Sequence, residues 1–290
     1  MLSRLMLTIA SWNVNSVRKR MHQVERLIDD TGADIICLQE TKCSEAAFPA
    51  AALEALGYPH QAYAGQGGNK SGYNGVAILS KIPLSHIQRH HHCEREDARH
   101  ISARVDLGGD ALTVHSLYVP AGGQIADADL NPKFAHKLRF VDAVGDHMAT
   151  SHGLRDLAVV AGDFNIAPMP SDVWDHRRMS RIVTHTPIEV AALERMKRSL
   201  YFVDALREVV AADDPVFTWW SYRASDWQAA NKGRRLDHIW VTPALKSRIA
   251  TVEILTDVRH WQPPSDHVPV VLKLRTEAEL ETAAGTHHHF

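Results

Sequence analysis

Only three cysteines, Cys37, Cys43 and Cys93, occur in 290 residues, and they lack the spacing of zinc-ligand pairs. A disulfide framework is thereby excluded, and Cys37, inside an apolar run, reads as a small core residue in a protein of a reducing compartment. No apolar run approaches the ~20 residues that span a bilayer. The opening Met-Leu-Ser-Arg-Leu-Met-Leu-Thr-Ile-Ala has neither the apolar length nor the cleavage site of a secretory signal. These absences predict a cytoplasmic protein with no membrane partner. Excess charge is missing too: 32 Lys and Arg against 34 Asp and Glu leave a net charge of -2. Any surface for nucleic acid must therefore be local. The glycine-rich loop from Gln66 to Asn74 has no P-loop or dinucleotide spacing. Ser265-Asp266-His267 has no nucleophile elbow to accompany it, which excludes serine-hydrolase chemistry. With no repeat, linker or composition break, residues 1–275 are expected to form one domain. Residues 276–290, acidic and alanine-rich and ending Thr-His-His-His-Phe, are expected to be a disordered tail.

What the chain does have is buried strands that end on polar groups. Leu157-Ala-Val-Val-Ala runs into Gly162-Asp163-Phe164-Asn165, and a continuous apolar run bounded by Gly and Pro predicts a strand buried on both faces. Asp163 and Asn165 lie two apart, so in extended chain they share a face. Leu5–Ser11 similarly delivers Asn13 and Asn15, Asp34–Leu38 delivers Glu40, and Leu112–Leu117 delivers Tyr118. Further strands are predicted at Gly75–Ser80, His100–Leu107, Phe217–Tyr222, Leu236–Val241 and Val270–Leu274. Helical periods mark Val17–Asp30, a short Ala-rich segment at 44–56, Lys133–Thr150 and Ile188–Leu200, the last with Glu194 and Arg198 at i,i+4. The Lys133–Thr150 face is read as Phe134, Leu138, Val141, Val144 and Met148. Ile82–Asp97 is polar, and His90-His91-His92 are expected on its solvated edge, because three adjacent histidines on a strand cannot all reach one metal. Strands connected by helix-bearing segments argue for an α/β domain with packed sheets and helices outside.

Asn13, Glu40, Tyr118, Asp163, Asn165, Asp237, Asp266 and His267 each fall at or beside the end of an apolar run. Carboxylates, an imidazole and amides suit metal-assisted hydrolysis of a phosphate ester. Hard oxygen ligands hold Mg²⁺, a positioned base deprotonates water, and neutral or cationic donors hold the non-bridging oxygens. A lone carboxylate at a strand end is usually a solvated turn, and the repetition is what carries the inference.

Trp12-Asn-Val-Asn-Ser-Val-Arg18, Leu38-Gln-Glu-Thr-Lys42, Tyr73-Asn-Gly-Val-Ala-Ile-Leu-Ser80, Gly162-Asp-Phe-Asn165, Arg235-Leu-Asp-His238 and Ser265-Asp-His-Val-Pro269 stand in sequence order. Together they resemble the exonuclease III-type apurinic/apyrimidinic endonucleases of the endonuclease/exonuclease/phosphatase superfamily. The resemblance implies a four-layer α/β sandwich, two packed mixed β-sheets flanked by helices. It implies a monomer acting on double-stranded DNA at abasic sites or 3′ ends, with Mg²⁺, or Mn²⁺ in its place. By the same resemblance Glu40 is the principal metal ligand with Asn13 beside it and Asp266 nearby, and Asp163, Asn165 and His267 complete the metal-binding set. Asp163 handles a proton, Asn165 steadies the transition state, Tyr118 lies near the scissile phosphate, and His267 contacts phosphate in a dyad with Asp237. Either Asp163 or the Asp237–His267 pair can be the base, with one metal ion or two. DNA contacts fall to Arg18, Lys70, Tyr73, Gln124, Trp219, Arg223 and Leu236, with Gln124 and Arg223 as wedges and Trp219, Trp220 and Leu236 as walls of a sugar pocket. Arg177, Arg178 and Lys232 would add phosphate contacts. Two other readings keep part of this pattern: a superfamily phosphatase acting on a small phosphate ester, and a catalytically silent DNA-binding module.

Overall fold

The apolar runs pair into two sheets in the computed structural model, which describes residues 6–66, 72–224, 226–276 and 279. Lys70 and nearly all of the expected tail lie outside the described residues. In chain order the strands are β1 (Met6–Asn13), β2 (Ile35–Gln39), β3 (His60–Ala64), β4 (Val76–Ser80), β5 (Leu84–Arg89), β6 (His100–Asp106), β7 (Ala111–Tyr118), β8 (Leu157–Asp163), β9 (Val203–Asp204), β10 (Trp219–Trp220), β11 (Gly233–Arg234), β12 (Asp237–Val241), β13 (Ile249–Ile254) and β14 (Val270–Arg275). The helices are α1 (Met21–Thr31), α2 (Ala50–Ala55), α3 (Pro132–Ser151), α4 (His176–Met179), α5 (Pro187–Arg198) and α6 (Trp227–Ala230). One six-stranded sheet has the order β13-β14-β1-β2-β4-β3 and the other β5-β6-β7-β8-β12-β9, while β10 and β11 form a two-stranded ribbon. Each large sheet is mixed: among the described residues the parallel pairs are β1 with β2 and β7 with β8.

Inward side chains of both sheets, among them Ile9, Ile35, Ile78, Ile101, Val114, Val159 and Ile239, form one shared core. On the outer face of the first sheet, Trp12, Ile36 and Leu79 pack against Val24 and Leu27 of α1 and Leu53 of α2. On the outer face of the second, Leu117, Val160 and Trp240 pack against Phe140, Val144 and Met148 of α3 and Leu193 and Met196 of α5. Helix, sheet, sheet and helix give the four layers.

Local chemistry explains where the elements begin and end. Asn131 caps α3, accepting from the Lys133 N–H ahead of Pro132, and Gly32 closes α1 in the left-handed region, its N–H bonded to the Ile28 carbonyl. The helix expected over 44–56 is shorter, because Pro49 disfavours helical backbone at Phe48 and only Ala50–Ala55 continue. The strand expected over 217–222 is reduced to Trp219–Trp220. The buried face of α3 is also shifted: Lys137 is buried and Leu138 only half-buried. Among the described residues no helix is long and apolar enough to cross a membrane.

Of His90–His92, expected on a solvated edge, only His91 is exposed; His90 is half-buried and His92 buried. β5 itself is an exposed edge strand, but past it the chain turns onto the outer face of the second sheet. There His92 is buried and bonds through Nε2 to His100 Nδ1 at 2.9 Å.

Candidate functional site

Strand register assembles the polar groups. Parallel pairing of β7 with β8 sets Tyr118 beside Asp163, and antiparallel pairing of β12 with β8 sets Asp237 on the other side of Asp163. In the opposite sheet, parallel pairing of β1 with β2 sets Asn13 beside Gln39, one residue before Glu40. Gly162 permits this closeness in the second sheet, since a Cβ there would stand 1.9 Å from the Leu117 carbonyl oxygen.

The two sheets are joined at these ends by the Asn13 carboxamide. Its Nδ2 donates to Glu40 Oε1 and to Asp163 Oδ2, both at 2.9 Å. Asp163 also accepts from the Asn165 backbone N–H at 2.9 Å and from Asn165 Nδ2 at 3.2 Å, and Asn165 Nδ2 donates further to the Val119 carbonyl at 2.9 Å. His267 Nδ1 lies 2.8 Å from Asp237 Oδ2, while its Nε2 faces Asp163 Oδ2 at 3.6 Å. Thr218 Oγ1 donates to Asp237 Oδ2 at 2.6 Å and accepts from the Leu236 and Asp237 N–H groups, which fixes the dyad. Ligand atoms of Glu40, Asp163 and His267 lie within 4.8 Å of one another.

The electrostatics follow from this crowding. Burial pushes Asp163 up to about 7, against the opposing pull of His267 and Asn13. Burial works against charge on His267, but Asp237 and Asp163 outweigh it and hold the imidazolium up to about 10. Burial also raises Glu40, yet Lys42, with Nζ 2.7 Å from Oε2, and Asn13 keep its carboxyl below the usual value. Tyr118 is held well above the phenol range by burial and by Glu40 and Asp163, so it stays a donor, with the Arg99 guanidinium 4.6 Å from its ring centroid. Two carboxylates converging beside an imidazole form a hard, anionic donor set, which fits a divalent cation. Glu40 and Asn165 adopt φ of 50° and 51°, conformations uncommon outside glycine that accumulate where a scaffold constrains a site.

Asn13, Glu40, Tyr118, Asp163, Asn165, Asp237 and His267 are thus brought together. Asp266 stands to one side: Oδ2 accepts from Trp219 Nε1 at 3.0 Å and Oδ1 from Asn15 Nδ2 at 3.1 Å. Trp219 packs with Leu236, Trp174 and Met179 in a small apolar cluster, with the Arg234 guanidinium 4.9 Å from its ring centroid. Trp220 is not a pocket wall. It is buried in the α1 and α2 side of the first sheet, and its indole donates to Asn231 Oδ1. Arg18, Tyr73, Gln124 and Arg223 stand exposed on surrounding turns and loops. Arg178 and Lys232 flank Trp174, 5.6 and 5.2 Å from its ring centroid.

Three contributors escape a reading of strand ends. Lys42 pairs with Glu40 and donates to Asn15 Oδ1 at 2.6 Å, and its position in Leu-Gln-Glu-Thr-Lys was the available signal. Tyr222 accepts from Asn15 and donates to the Pro264 carbonyl, extending the Asp266 network. Lys137, fully buried with Glu189 at 2.5 Å, donates to the Asn165 carbonyl at 2.8 Å, and nothing in the helical period marks it.

The sequence profile of the Endonuclease/Exonuclease/phosphatase family matches residues 10–267. An exodeoxyribonuclease III of Haemophilus influenzae is 33% identical over 268 residues, covering 90% of this chain and 97% of the relative. An AP endonuclease structure from Archaeoglobus fulgidus superposes with a TM-score of 0.81 at 31% identity, over 92% of this chain and 98% of that one. A Neisseria 3′ phosphatase bound to a product DNA hairpin gives a TM-score of 0.81 at 30% identity, over 93% of this chain and all of that one.

Proposed function

The chain belongs to the endonuclease/exonuclease/phosphatase family, and from that membership we propose that it is a metal-dependent DNA repair nuclease of exonuclease III type. It hydrolyses the phosphodiester 5′ to abasic sites and trims 3′ ends of duplex DNA, acting as a monomer. The observation that carries this reading is the convergence of Glu40, Asp163 and His267, bridged by Asn13 where the two sheets meet.

A divalent ion, Mg²⁺ or Mn²⁺, would be held chiefly by Glu40 with Asn13 beside it, and when bound it neutralises charge on the phosphoryl oxygens. Asp163, buried and with a raised pKa, takes the proton of the attacking water. His267 already holds its proton through Asp237, which favours an imidazolium that contacts a non-bridging phosphate oxygen over a metal ligand. Tyr118 offers a second donor to the same phosphate, and Asn165 fixes the Asp163 carboxylate. Trp219 and Leu236 suit a baseless deoxyribose extruded from the duplex, and the cations flanking Trp174 suit the adjoining phosphates.

The test is a product assay on abasic-site duplex and on recessed 3′ ends, with Mg²⁺ and with EDTA. Metal-dependent incision 5′ to the abasic site supports the reading. Hydrolysis confined to small phosphate monoesters would assign a superfamily phosphatase instead.

A further inference from the structure

Six histidines gather between the outer face of β6–β7 and the last turns of α3, on chemistry that the carboxylate site does not use. His100 and His115 come from adjacent strands, His90 and His92 from the chain after β5, His147 from α3 and His152 from its C-cap. Four of them form a chain: His92 Nε2 to His100 Nδ1, His100 Nε2 to His115 Nδ1, and His115 Nε2 to His152 Nε2, each 2.9 Å. His90 lies against two of the others, its ring centroid 4.3 Å from that of His100 and 4.3 Å from that of His147. A cavity of about 310 Å³ opens beside them, lined by His86, His90, Ser102, His115, His147 and His152.

Each neutral imidazole has one N–H and one lone pair, so such a chain satisfies itself only while every donor meets an acceptor. His147 stands outside that chain, and its own bookkeeping fails. Its Nδ1 meets Ser151 Oγ at 3.3 Å, whereas its Nε2 is buried with no hydrogen-bond partner. An orphaned buried nitrogen is costly unless something absent from the protein atoms meets it. Ligand nitrogens of His90, His100 and His147 all lie within 4.8 Å of one another. Zinc holds its nitrogens at ~2.0–2.1 Å in tetrahedral geometry, so binding would draw these three rings closer together.

We propose that His90, His100 and His147 form a second metal site, specific for a borderline transition-metal ion and occupied by Zn²⁺. The ligand set contains no carboxylate, so it selects Zn²⁺, Cu²⁺ or Ni²⁺ over Mg²⁺, the reverse of the preference at Glu40 and Asp163. Whichever nitrogen His100 gives to the ion, the other remains bonded to His92 or His115, which fixes the tautomer of the ligand. A bound ion would pin the chain after β5 and the strand β6 to the end of α3.

The experiment is zinc competition against a chromophoric chelator in excess Mg²⁺, on the full-length chain with His287, His288 and His289 each changed to Ala. That background removes the only other histidine run from the result. The proposal expects this protein to hold zinc, one equivalent of it lost on adding His90→Ala and His147→Ala, and at least tenfold weaker binding with His147→Gln alone. Circular dichroism of the zinc-free proteins checks that the loss is not unfolding. In the chain with its cluster intact, ring-nitrogen NMR should show zinc-induced shifts at His90, His100 and His147. No zinc held by the background protein, equal stoichiometry in the folded double variant, or no shift at these three rings would overturn the site.

Discussion

Asn13 Nδ2 stands 2.9 Å from both Glu40 Oε1 and Asp163 Oδ2, although Asn13 and Asp163 are separated by 150 residues and belong to different sheets. This amide spaces two carboxylates that would otherwise repel across the sheet–sheet seam. Asn13→Ala should therefore weaken the apparent Mg²⁺ affinity by about 10–100-fold, the usual cost of losing a group that orients metal ligands. A Mg²⁺ titration of the cleavage rate measures it, and an unchanged half-saturation would remove Asn13 from the metal-holding role.

Trp219 has two roles that substitution can separate. Its ring packs on the Leu236 cluster, and its Nε1 holds Asp266. Trp219→Phe should preserve most incision at abasic sites while loosening Asp266, whereas Trp219→Ala should lower abasic-site incision more than removal of 3′ nucleotides. Because Trp219 is only partly buried, its loss should cost less than the ~3–5 kcal/mol of a fully buried aromatic, so the variant should fold. Equal losses on both substrates would eliminate the sugar-pocket assignment.

The cations around Trp174 predict salt-dependent DNA binding despite a net charge of -2. Each phosphate contact adds ~0.9 to the slope of log affinity against log salt on duplex DNA. Arg178→Ala and Lys232→Ala should each reduce the slope by about one contact. A wild-type slope near zero would point to a small-molecule phosphatase.

Stability of the metal-free protein should fall as the pH rises. His267 is raised in the fold, so its contribution is complete below the ordinary imidazole value and is lost as pH climbs towards about 10. Asp163 is raised as well, and burying its carboxylate costs stability as pH rises to about 7. Thermal melting in EDTA should thus show a falling Tm between pH 7 and 9.5, with a flatter profile in His267→Ala. A steeper fall in that variant would contradict the ion pair with Asp237.

How much of this was legible in the sequence depended on burial. β1, β2, β7 and β8 carry strong apolar runs that end on or just before site residues, and β12 begins on Asp237, so both fold class and site emerged from the same signal. β3, β9 and β13, with β5, are the four sheet edges, where one side faces solvent or a neighbour is missing and the pattern is mixed. Lys137 was hidden because a buried cation breaks the helical period and is explained only by Glu189 and the Asn165 carbonyl, both distant in sequence. The histidine cluster was misread for the same reason: His90 and His92 look like solvated neighbours until β6, β7 and α3 bring His100, His115 and His147 against them.

The central claim is that Asp163 handles the proton at a phosphodiester held where the two sheets meet. Its most direct test is single-turnover cleavage of an abasic-site duplex by Asp163→Asn in saturating Mg²⁺, with DNA binding measured in parallel. The substitution keeps the shape and removes the charge, so the cleavage rate should fall by ~10²–10⁴ while affinity for the duplex changes little. Cleavage at the wild-type rate by a folded, DNA-bound Asp163→Asn protein would contradict the account.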